Sequence, residues 1–410
     1  MKSCVGLFLL AVLMLFGPLR AQAAELKNPN FNQGSLYFSQ GRLKEARNAL
    51  IRAVELNEPV AEVYTLLGQV LERANEVDLA IEMLSLGAER FPALPEIFSE
   101  LGHFHLLKDQ FQEGIKAYQR AALLSGQNPD DVLNLATAYY RKGLNEIRLG
   151  AYFESLISAK NADQLVPDTA EFIHLLGSSY LALGQKLDAK KAFEKALELD
   201  PDNASYYYDL ALTCLRLNER GRAEELLKKT VSLSPDFPMP YIFLGRIYHN
   251  SKRTEEAIES FEKARDLEPE LKGVHYHLGF AFKAKGEDQK AIEEMEVEIR
   301  HHPDYLPARV ELGDLYLRIG DGDSAVKHLD YAIRLDAKQA RTHFLLGKAL
   351  FEQTLLEKSL QSFSEASRLD PSMAQAHYWM AQIHMKQGNR ALAQSEIALF
   401  EEKKKGQPDF

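Results

Sequence analysis

The chain has 410 residues and a formal net charge of −10, and 46% of its residues are hydrophobic. That apolar fraction suffices for a continuous core and excludes a disordered chain. Residues 1–23 hold two basic residues and no acidic ones, so without them the net charge is −12. Because nucleic acids and anionic membranes are bound by basic surfaces, this charge excludes general binding to either and leaves protein partners open.

Residues 1–23 have the pattern of a secretory signal. Lys2 precedes an apolar run of about 15 residues, and Ala21-Gln22-Ala23 follows as a cleavage site. The run is short for a membrane-spanning helix and contains Pro18. We therefore expect cleavage and a periplasmic or secreted mature chain, residues 24–410, without a membrane span; an uncleaved anchor is the alternative. Cys4 would be removed, so only Cys214 would remain and no intrachain disulfide would form.

A regular period of about 34 residues runs through the rest of the chain, which is the mark of a repeat protein. Each unit has a small residue, called the anchor below, and the anchors recur at this period in every interval except the longer one from Ala136 to Gly177. Leu precedes the anchor in nine of eleven units, Ala lies at +12 in eight, and Pro lies at +24 in seven. The anchors are Gly34, Gly68, Gly102, Ala136, Gly177, Ala211, Gly245, Gly279, Gly313, Gly347 and Ala381.

This pattern resembles the tetratricopeptide repeat family, in which Leu-Gly, an aromatic residue, Ala, a second aromatic residue, Ala and Pro are spread over two helices. The segment 176–201, LGSSYLALGQKLDAKKAFEKALELDP, shows it most clearly. The resemblance covers roughly residues 27–405. It implies an all-α fold, a right-handed superhelical solenoid of about eleven helix-turn-helix repeats. The expected repeat ranges are 27–60, 61–94, 95–128, 129–169, 170–203, 204–237, 238–271, 272–305, 306–339, 340–373 and 374–407.

The residue types explain why such units stack. A small anchor and a +12 alanine let the two helices of a unit approach closely, and large apolar residues at −1, +3 and +16 fill the space around that contact. Pro at +24 fits the end of the second helix. Since no unit can bury its apolar faces alone, neighbouring units must pack together.

The fourth repeat carries seven extra residues between Ala136 and Ser155. Seven residues turn a helix by about two revolutions, so the apolar face keeps its phase. We expect longer helices in this repeat that project beyond the stack. Two interpretations are open: a neutral insertion or kink at Gly143, and a docking spur for a partner.

The sequence has no catalytic or metal-binding motif of the HExxH, CxxC, GxSxG or GxxxxGK type. The pairs His103/His105 and His275/His277 are two residues apart, so on a helix their side chains point about 200° apart and cannot hold one metal from one face. Cys214 lies in a +3 slot, where an inert buried thiol is expected. We therefore expect no enzymatic activity, no cofactor and no metal site.

The resemblance implies that first helices line a concave face. We call a position counted from the anchor a slot. Viewed down the helix axis, the slots −3, +1 and +4 lie at angles near 60°, 100° and 40° from the anchor, on a face that points roughly away from the core slots. Over residues 204–386 these slots carry aromatic and basic residues, which predicts a mildly basic aromatic groove. A second interpretation, given equal weight, is that several of these aromatic side chains pack between neighbouring repeats. The predicted groove contacts are Tyr208, Arg246, Tyr276, Lys283, Arg318, Phe344, Lys348 and Tyr378.

The first helices of the N-terminal half begin with acidic residues. Since acids at a helix start offset the helix dipole, they are given no binding role. These residues are Glu62, Glu96, Asp130 and Glu171.

These observations predict a non-catalytic scaffold for protein interactions that is exported from the cytoplasm. Its groove is expected to bind an extended peptide or protein with acidic or C-terminal carboxylate character. The Lys/Asn/Arg set with which related domains clamp chaperone C-termini has no match, so chaperone binding is not supported. One alternative is a scaffold for extracellular polysaccharide export or envelope assembly, with glycan contact through the aromatic row. Another is a non-catalytic subunit of an enzyme complex such as a glycosyltransferase.

Overall fold

The computed structural model describes residues 28–405. The predicted signal segment, residues 1–23, lies outside the described residues. Over residues 28–405 the chain forms 22 helices and no strand. It divides into a first unit that ends at Leu217 and a second unit that begins at Asn218. In the described part of the chain, no helix combines the length and the apolar character needed to cross a membrane.

The helices follow one another through short turns. The first unit contains α1 (Pro29–Ser39), α2 (Leu43–Glu55), α3 (Glu62–Arg73), α4 (Val77–Arg90), α5 (Pro95–Leu107), α6 (Phe111–Leu124), α7 (Pro129–Arg148), α8 (Tyr152–Leu165), α9 (Ala170–Ala182), α10 (Lys186–Leu199) and α11 (Ala204–Arg216). The second unit contains α12 (Arg220–Leu233), α13 (Pro238–Asn250), α14 (Thr254–Leu267), α15 (Val274–Lys285), α16 (Asp288–His301), α17 (Leu306–Arg318), α18 (Gly322–Leu335), α19 (Ala340–Glu352), α20 (Leu356–Leu369), α21 (Ala374–Lys386) and α22 (Arg390–Lys404).

Odd-numbered helices are the first helices of the repeats and even-numbered helices are the second. Each predicted repeat range contains one such pair. Within each unit every helix packs against the next one along the chain. The predicted all-α fold of helix-turn-helix repeats is therefore confirmed.

The two helices of a repeat come closest at the anchor. A Cβ atom built on Gly177 would lie 2.6 Å from Cε1 of Phe193, and one built on Gly245 would lie 2.5 Å from Cε1 of Phe261. Both phenylalanines occupy the +16 slot and are buried. The ring of the second helix thus occupies the space that a side chain on the anchor would need, which explains why glycine recurs there.

The turn between the helices of a repeat identifies the anchor of the fourth repeat. Seven positions after the anchor, φ is positive in all eleven repeats, from Gly41 to Gly388. In the fourth repeat the residue with positive φ is Gly150, which is seven positions after Gly143 and not after Ala136. Gly143 is therefore the anchor that pairs α7 with its own second helix.

The seven extra residues lengthen one helix. Helix α7 has 20 residues, whereas its second helix α8 has 14, the same number as α10. The Ser155 hydroxyl donates to the carbonyl of Gly143 at 2.9 Å, as that of Ser359 donates to Gly347 at 2.7 Å. The expectation that both helices of this repeat are longer is wrong for α8. Instead α7 holds two anchors, Ala136 and Gly143, about 10 Å apart along the helix axis.

Replacing Gly245 by alanine should destabilise the protein by about 1–3 kcal/mol, because the new methyl group must displace the buried ring of Phe261. Thermal and urea unfolding of residues 24–410, followed by circular dichroism, would measure this change. Gly221 is the matched control, since it also lies in a helix of the second unit but a Cβ there meets nothing within 4 Å. Its replacement by alanine should be neutral or stabilise by up to about 1 kcal/mol. Equal destabilisation by both would refute the close approach.

Candidate functional site

Tyr276 lies near the start of α15, and a buried carboxylate fixes its position. Its backbone N–H donates to Oε2 of Glu298 at 3.3 Å, and the N–H of Gly273 donates to Oε1 at 2.8 Å. Glu298, on α16, is fully buried. Burial raises the pKa of Tyr276 to about 12, so its hydroxyl keeps its proton at neutral pH and can donate a hydrogen bond to a ligand.

Two small pockets meet at Tyr276. The His249 pocket has a volume of about 170 Å³ and is lined by Arg246, His249, Asn250, Phe261, Tyr276, His277 and Phe280. The Arg341 pocket has a volume of about 190 Å³ and is lined by Tyr276, Leu306, Pro307, Val310, Glu311, Gln339 and Arg341. Both are smaller than the roughly 300–1,000 Å³ of small-molecule sites. Their size suits single side chains of an extended ligand.

Lys283, a predicted groove contact, is already neutralised. Its Nζ donates to Oε2 of Glu311 at 2.6 Å and to Oδ2 of Asp314 at 2.5 Å. The buried Glu311 also accepts a hydrogen bond from Arg341 at 2.6 Å. Two carboxylates therefore balance two cations, and Lys283 is not available to an acidic ligand. Glu311 lies two residues before its anchor Gly313, whereas the groove prediction uses only the slots −3, +1 and +4.

Arg318 is neutralised as well, because its guanidinium lies 3.1 Å from Oδ1 of Asp288. Arg246 and Lys348 form no ion pair among residues 28–405. The guanidinium of Arg246 is exposed and lies 5.3 Å from the centre of the Phe243 ring. The predicted basic character of the second unit therefore rests on Arg246 and Lys348.

The predicted aromatic contacts differ in their surroundings. Phe344 packs into a cluster with Phe363, with ring centres 5.6 Å apart, so the packing interpretation describes it. Tyr208 belongs to the first unit, where it is half-buried, and burial raises its pKa to about 12. Tyr378 is 44% exposed. It lines a cleft of about 310 Å³ whose other lining residues are Gln375, Trp379, Phe400 and Lys404.

Sequence reasoning missed a larger cavity on α3, α5 and α7 of the first unit. Its volume is about 670 Å³, and it is lined by Gln69, Glu72, Pro95, Glu96, Ser99, Glu100, His103, Tyr118, Ser125, Asn128, Asp130, Asp131 and Asn134. Glu96 and Asp130 are among these residues, although their positions at helix starts predict only a role in offsetting the helix dipole. His103 Nε2 contacts Oε1 of Glu72 at 2.8 Å, and burial raises the pKa of Glu100. The signal for this cavity was the recurrence of acids on three successive first helices.

The predictions for a metal site and for Cys214 can be compared with the described part of the chain. Among residues 28–405 no group of three or more His, Cys, Asp and Glu side chains is placed to hold a metal ion. Cys214 is buried, which agrees with the packing role predicted for its +3 slot.

Comparisons with known families and proteins agree with the repeat pattern. A family profile described as a tetratricopeptide repeat matches residues 31–95, 174–238, 310–374 and 344–401, and a second, described as a TPR repeat, matches residues 245–286. Among curated proteins, the chain is 24% identical over 116 residues to Tetratricopeptide repeat protein 8 of Caenorhabditis elegans. That match spans 28% of this chain and only 23% of the relative.

Three solved structures illustrate the likeness to other proteins. YrrB, described as a TPR protein with an unusual peptide-binding site, is 23% identical over 46% of this chain and 97% of its own, with a TM-score of 0.41. A chain of the Cut9–Hcn1 hetero-tetramer of the APC/C is 12% identical over 96% of both chains, with a TM-score of 0.46. Pseudomonas aeruginosa pilF is 18% identical over 52% of this chain and 96% of its own, with a TM-score of 0.47.

Two histidines of the second unit, the half-buried His277 and the buried His328, make stability depend on pH. Burial lowers the pKa of His277 to about 4, and the charges of Arg246 and His249 add to the effect. Burial, with Arg309 nearby, lowers the pKa of His328 to about 4. In the unfolded chain a histidine takes up its proton near pH 6.5. Their contribution to stability is therefore complete above pH 6.5 and is lost as the pH falls from 6.5 towards 4.

The melting temperature of the second unit should fall by about 5 °C or more between pH 7 and pH 5. A variant with His277→Leu and His328→Leu should show a smaller fall, because neither side chain then binds a proton on unfolding. Replacing the exposed His301 by Asn is the control and should leave the fall unchanged. Calorimetry of residues 24–410 at several pH values would test this. A double variant with the wild-type pH dependence would show that other groups cause the fall.

Proposed function

Because this chain belongs to the tetratricopeptide repeat family, we propose that it is a non-catalytic scaffold whose second unit binds an extended acidic peptide across Tyr276. Proteins built from this repeat generally serve as scaffolds for protein–protein interactions. The observation that carries the finer proposal is the pair of pockets on either side of Tyr276, with an unpaired guanidinium lining one of them.

The pockets suit an extended peptide. In an extended chain, side chains two residues apart lie on the same side, roughly 6.5–7 Å apart. Because the two pockets share Tyr276, we propose that one side chain enters each pocket while the backbone crosses Tyr276. The His249 pocket offers the rings of Phe261 and Phe280, and the Arg341 pocket offers Leu306 and Val310. Aromatic and aliphatic ligand side chains would gain roughly 25 cal/mol for each Å² of apolar surface that they bury there.

Charge favours an acidic ligand over a basic one. Glu311 and Asp314 are balanced by Lys283 and Arg341. Arg246 remains as the cation at the His249 pocket, where its guanidinium can form two parallel hydrogen bonds with a carboxylate. Asn250 in the same pocket can donate a further hydrogen bond from its amide.

Labelled peptides of about twelve residues, long enough to span both pockets, would test the ligand class by fluorescence anisotropy. Three sets of peptides should be compared, all with leucine and phenylalanine but with acidic, neutral or basic residues between them. The acidic set should bind most tightly and the basic set most weakly. Salt should weaken the acidic set because screening reduces the attraction. Arg246→Glu should weaken acidic peptides by about tenfold or more.

Arg318→Glu is the matched control for this experiment, since Arg318 also lies on a first helix but is already paired with Asp288. It should change the affinity by no more than about twofold. Equal losses from the two variants, or a preference for basic peptides, would rule out the acidic ligand.

A glycan ligand is the second candidate, and the cleft at Tyr378 favours it. Its exposed tyrosine lies beside Trp379, with ring centres 5.7 Å apart, and beside Phe400 at the same distance. Aromatic faces of this kind can stack on sugar rings. Glycan binding that is insensitive to salt and is lost in a Tyr378→Ala variant would favour an envelope or export scaffold over peptide recognition.

We also propose that the chain is exported and processed, on the basis of Lys2, the apolar run and Ala21-Gln22-Ala23. In a Gram-negative host, the recovered periplasmic protein should begin at Ala24 when its N-terminus is sequenced. Replacing Leu9 and Leu10 by arginine should leave an unprocessed precursor in the cytoplasm, because the apolar run is interrupted. A wild-type protein that is found in the membrane fraction with its signal segment still attached would support the uncleaved anchor instead.

A further inference from the structure

The fourth repeat exposes an unusual row of apolar side chains. Counted from its anchor Gly143, Leu149 lies at +6, Phe153 at +10 and Ile157 at +14. These side chains are 71%, 62% and 46% exposed. Phe153 and Ile157 are one turn apart on α8 and so share a face of that helix. Leu149 is the C-cap residue that follows Arg148 at the end of α7, immediately before the turn into α8.

Positions +10 and +14 are different in the other repeats, whereas +6 is also apolar in Leu183, Leu217 and Ile319. At +10 and +14 they carry polar or small residues, with the exception of Leu187 at +10 of the fifth repeat. Leu187, on α10, is 65% exposed. Large apolar residues at +10 and +14 are therefore confined to two successive repeats of the first unit. We define it as the α8–α10 patch, formed by Leu149, Tyr152, Phe153, Ile157 and Leu187.

The size of the patch is large for a surface without a partner. Its five side chains together expose roughly 600 Å², the upper end of the largest patch on a typical monomer. A stable protein–protein interface needs about 800 Å² on each side. A two-fold contact that buries this patch on both copies, together with its polar rim, reaches that area.

The charges around the patch suit a second copy of the same chain. Arg148, Lys160 and Lys191 are exposed beside it, and so are Glu154 and Asp188. A rim with both signs does not select a strongly acidic or strongly basic partner. In a two-fold contact the same rim faces itself in reverse, so opposite charges can be brought together.

We propose that the α8–α10 patch joins two copies of this chain in a two-fold symmetric dimer. Each copy then supplies the apolar surface that covers the patch of the other, with Phe153 and Ile157 at the centre. The patch lies mainly on second helices, whereas the residues around Tyr276 lie mainly on first helices. Self-association therefore needs none of the residues proposed to bind a peptide.

Sedimentation equilibrium of residues 24–410 tests this proposal. The wild-type protein should be largely dimeric at about 50 μM, in the range of specific but modest interfaces. A variant with Phe153→Lys and Ile157→Glu should dissociate at least about 50-fold more readily, because it places charges at the centre of the contact. Its circular dichroism should equal that of the wild type, since both side chains are exposed.

Leu123→Lys is the matched control, because Leu123 is 63% exposed on α6 of the same unit but lies outside the patch. It should dimerise as the wild type does. A second disrupting variant, Leu149→Glu, should also weaken dimerisation. A wild-type protein that remains monomeric up to about 200 μM, or patch variants that dimerise unchanged, would overturn the proposal and leave a different protein as the partner of this surface.

Discussion

The close approach of two helices at each anchor is the contact on which the rest of this structure depends. With Gly177 or Gly245 on one helix and a +16 phenylalanine on the other, the backbone of the first helix lies directly beneath a buried ring. That contact uses the inward slots of both helices. The outward slots have no part in it, so they are free to carry ligand pockets, ion pairs or exposed apolar residues without disturbing the core.

The same contact explains why the fourth repeat tolerates an insertion. Seven residues are close to two helical turns, so Ala136 and Gly143 point in nearly the same direction from α7. Ala136 packs in a cluster with Ala162 and Phe172, while Gly143 accepts the hydrogen bond from Ser155. An insertion of two or five residues would have rotated one of these small residues out of contact, because it turns the helix by about 200° or 140°. The insertion therefore lengthens α7 and keeps both the packing of Ala136 and the close approach of α8 at Gly143.

The repeat fold was predictable because its signals are local. The anchors, the +12 alanines and the +24 prolines recur at a fixed distance, and each acts within its own repeat. The charge of the candidate site was less predictable, because ion pairs form between repeats. Lys283 is neutralised by Glu311 of the following repeat, and Arg318 is neutralised by Asp288 of the preceding one. The slot angle of a residue on its own helix does not reveal whether a side chain from the neighbouring repeat reaches it.

If the second unit binds an acidic peptide as proposed, ligand selection depends on repulsion as well as attraction. The chain carries a net negative charge, and the 670 Å³ cavity of the first unit concentrates carboxylates, including Glu96, Glu100 and Asp130. An acidic peptide entering that cavity would meet like charges, and the repulsion is strongest at Glu100, whose pKa is raised by burial, because like charges cost more where water is partly excluded. At Tyr276 the carboxylates are already balanced and Arg246 is not. Since specificity is a difference between affinities, the acidic cavity would add to the proposed preference for the second unit by making the first a poor site for the same ligand.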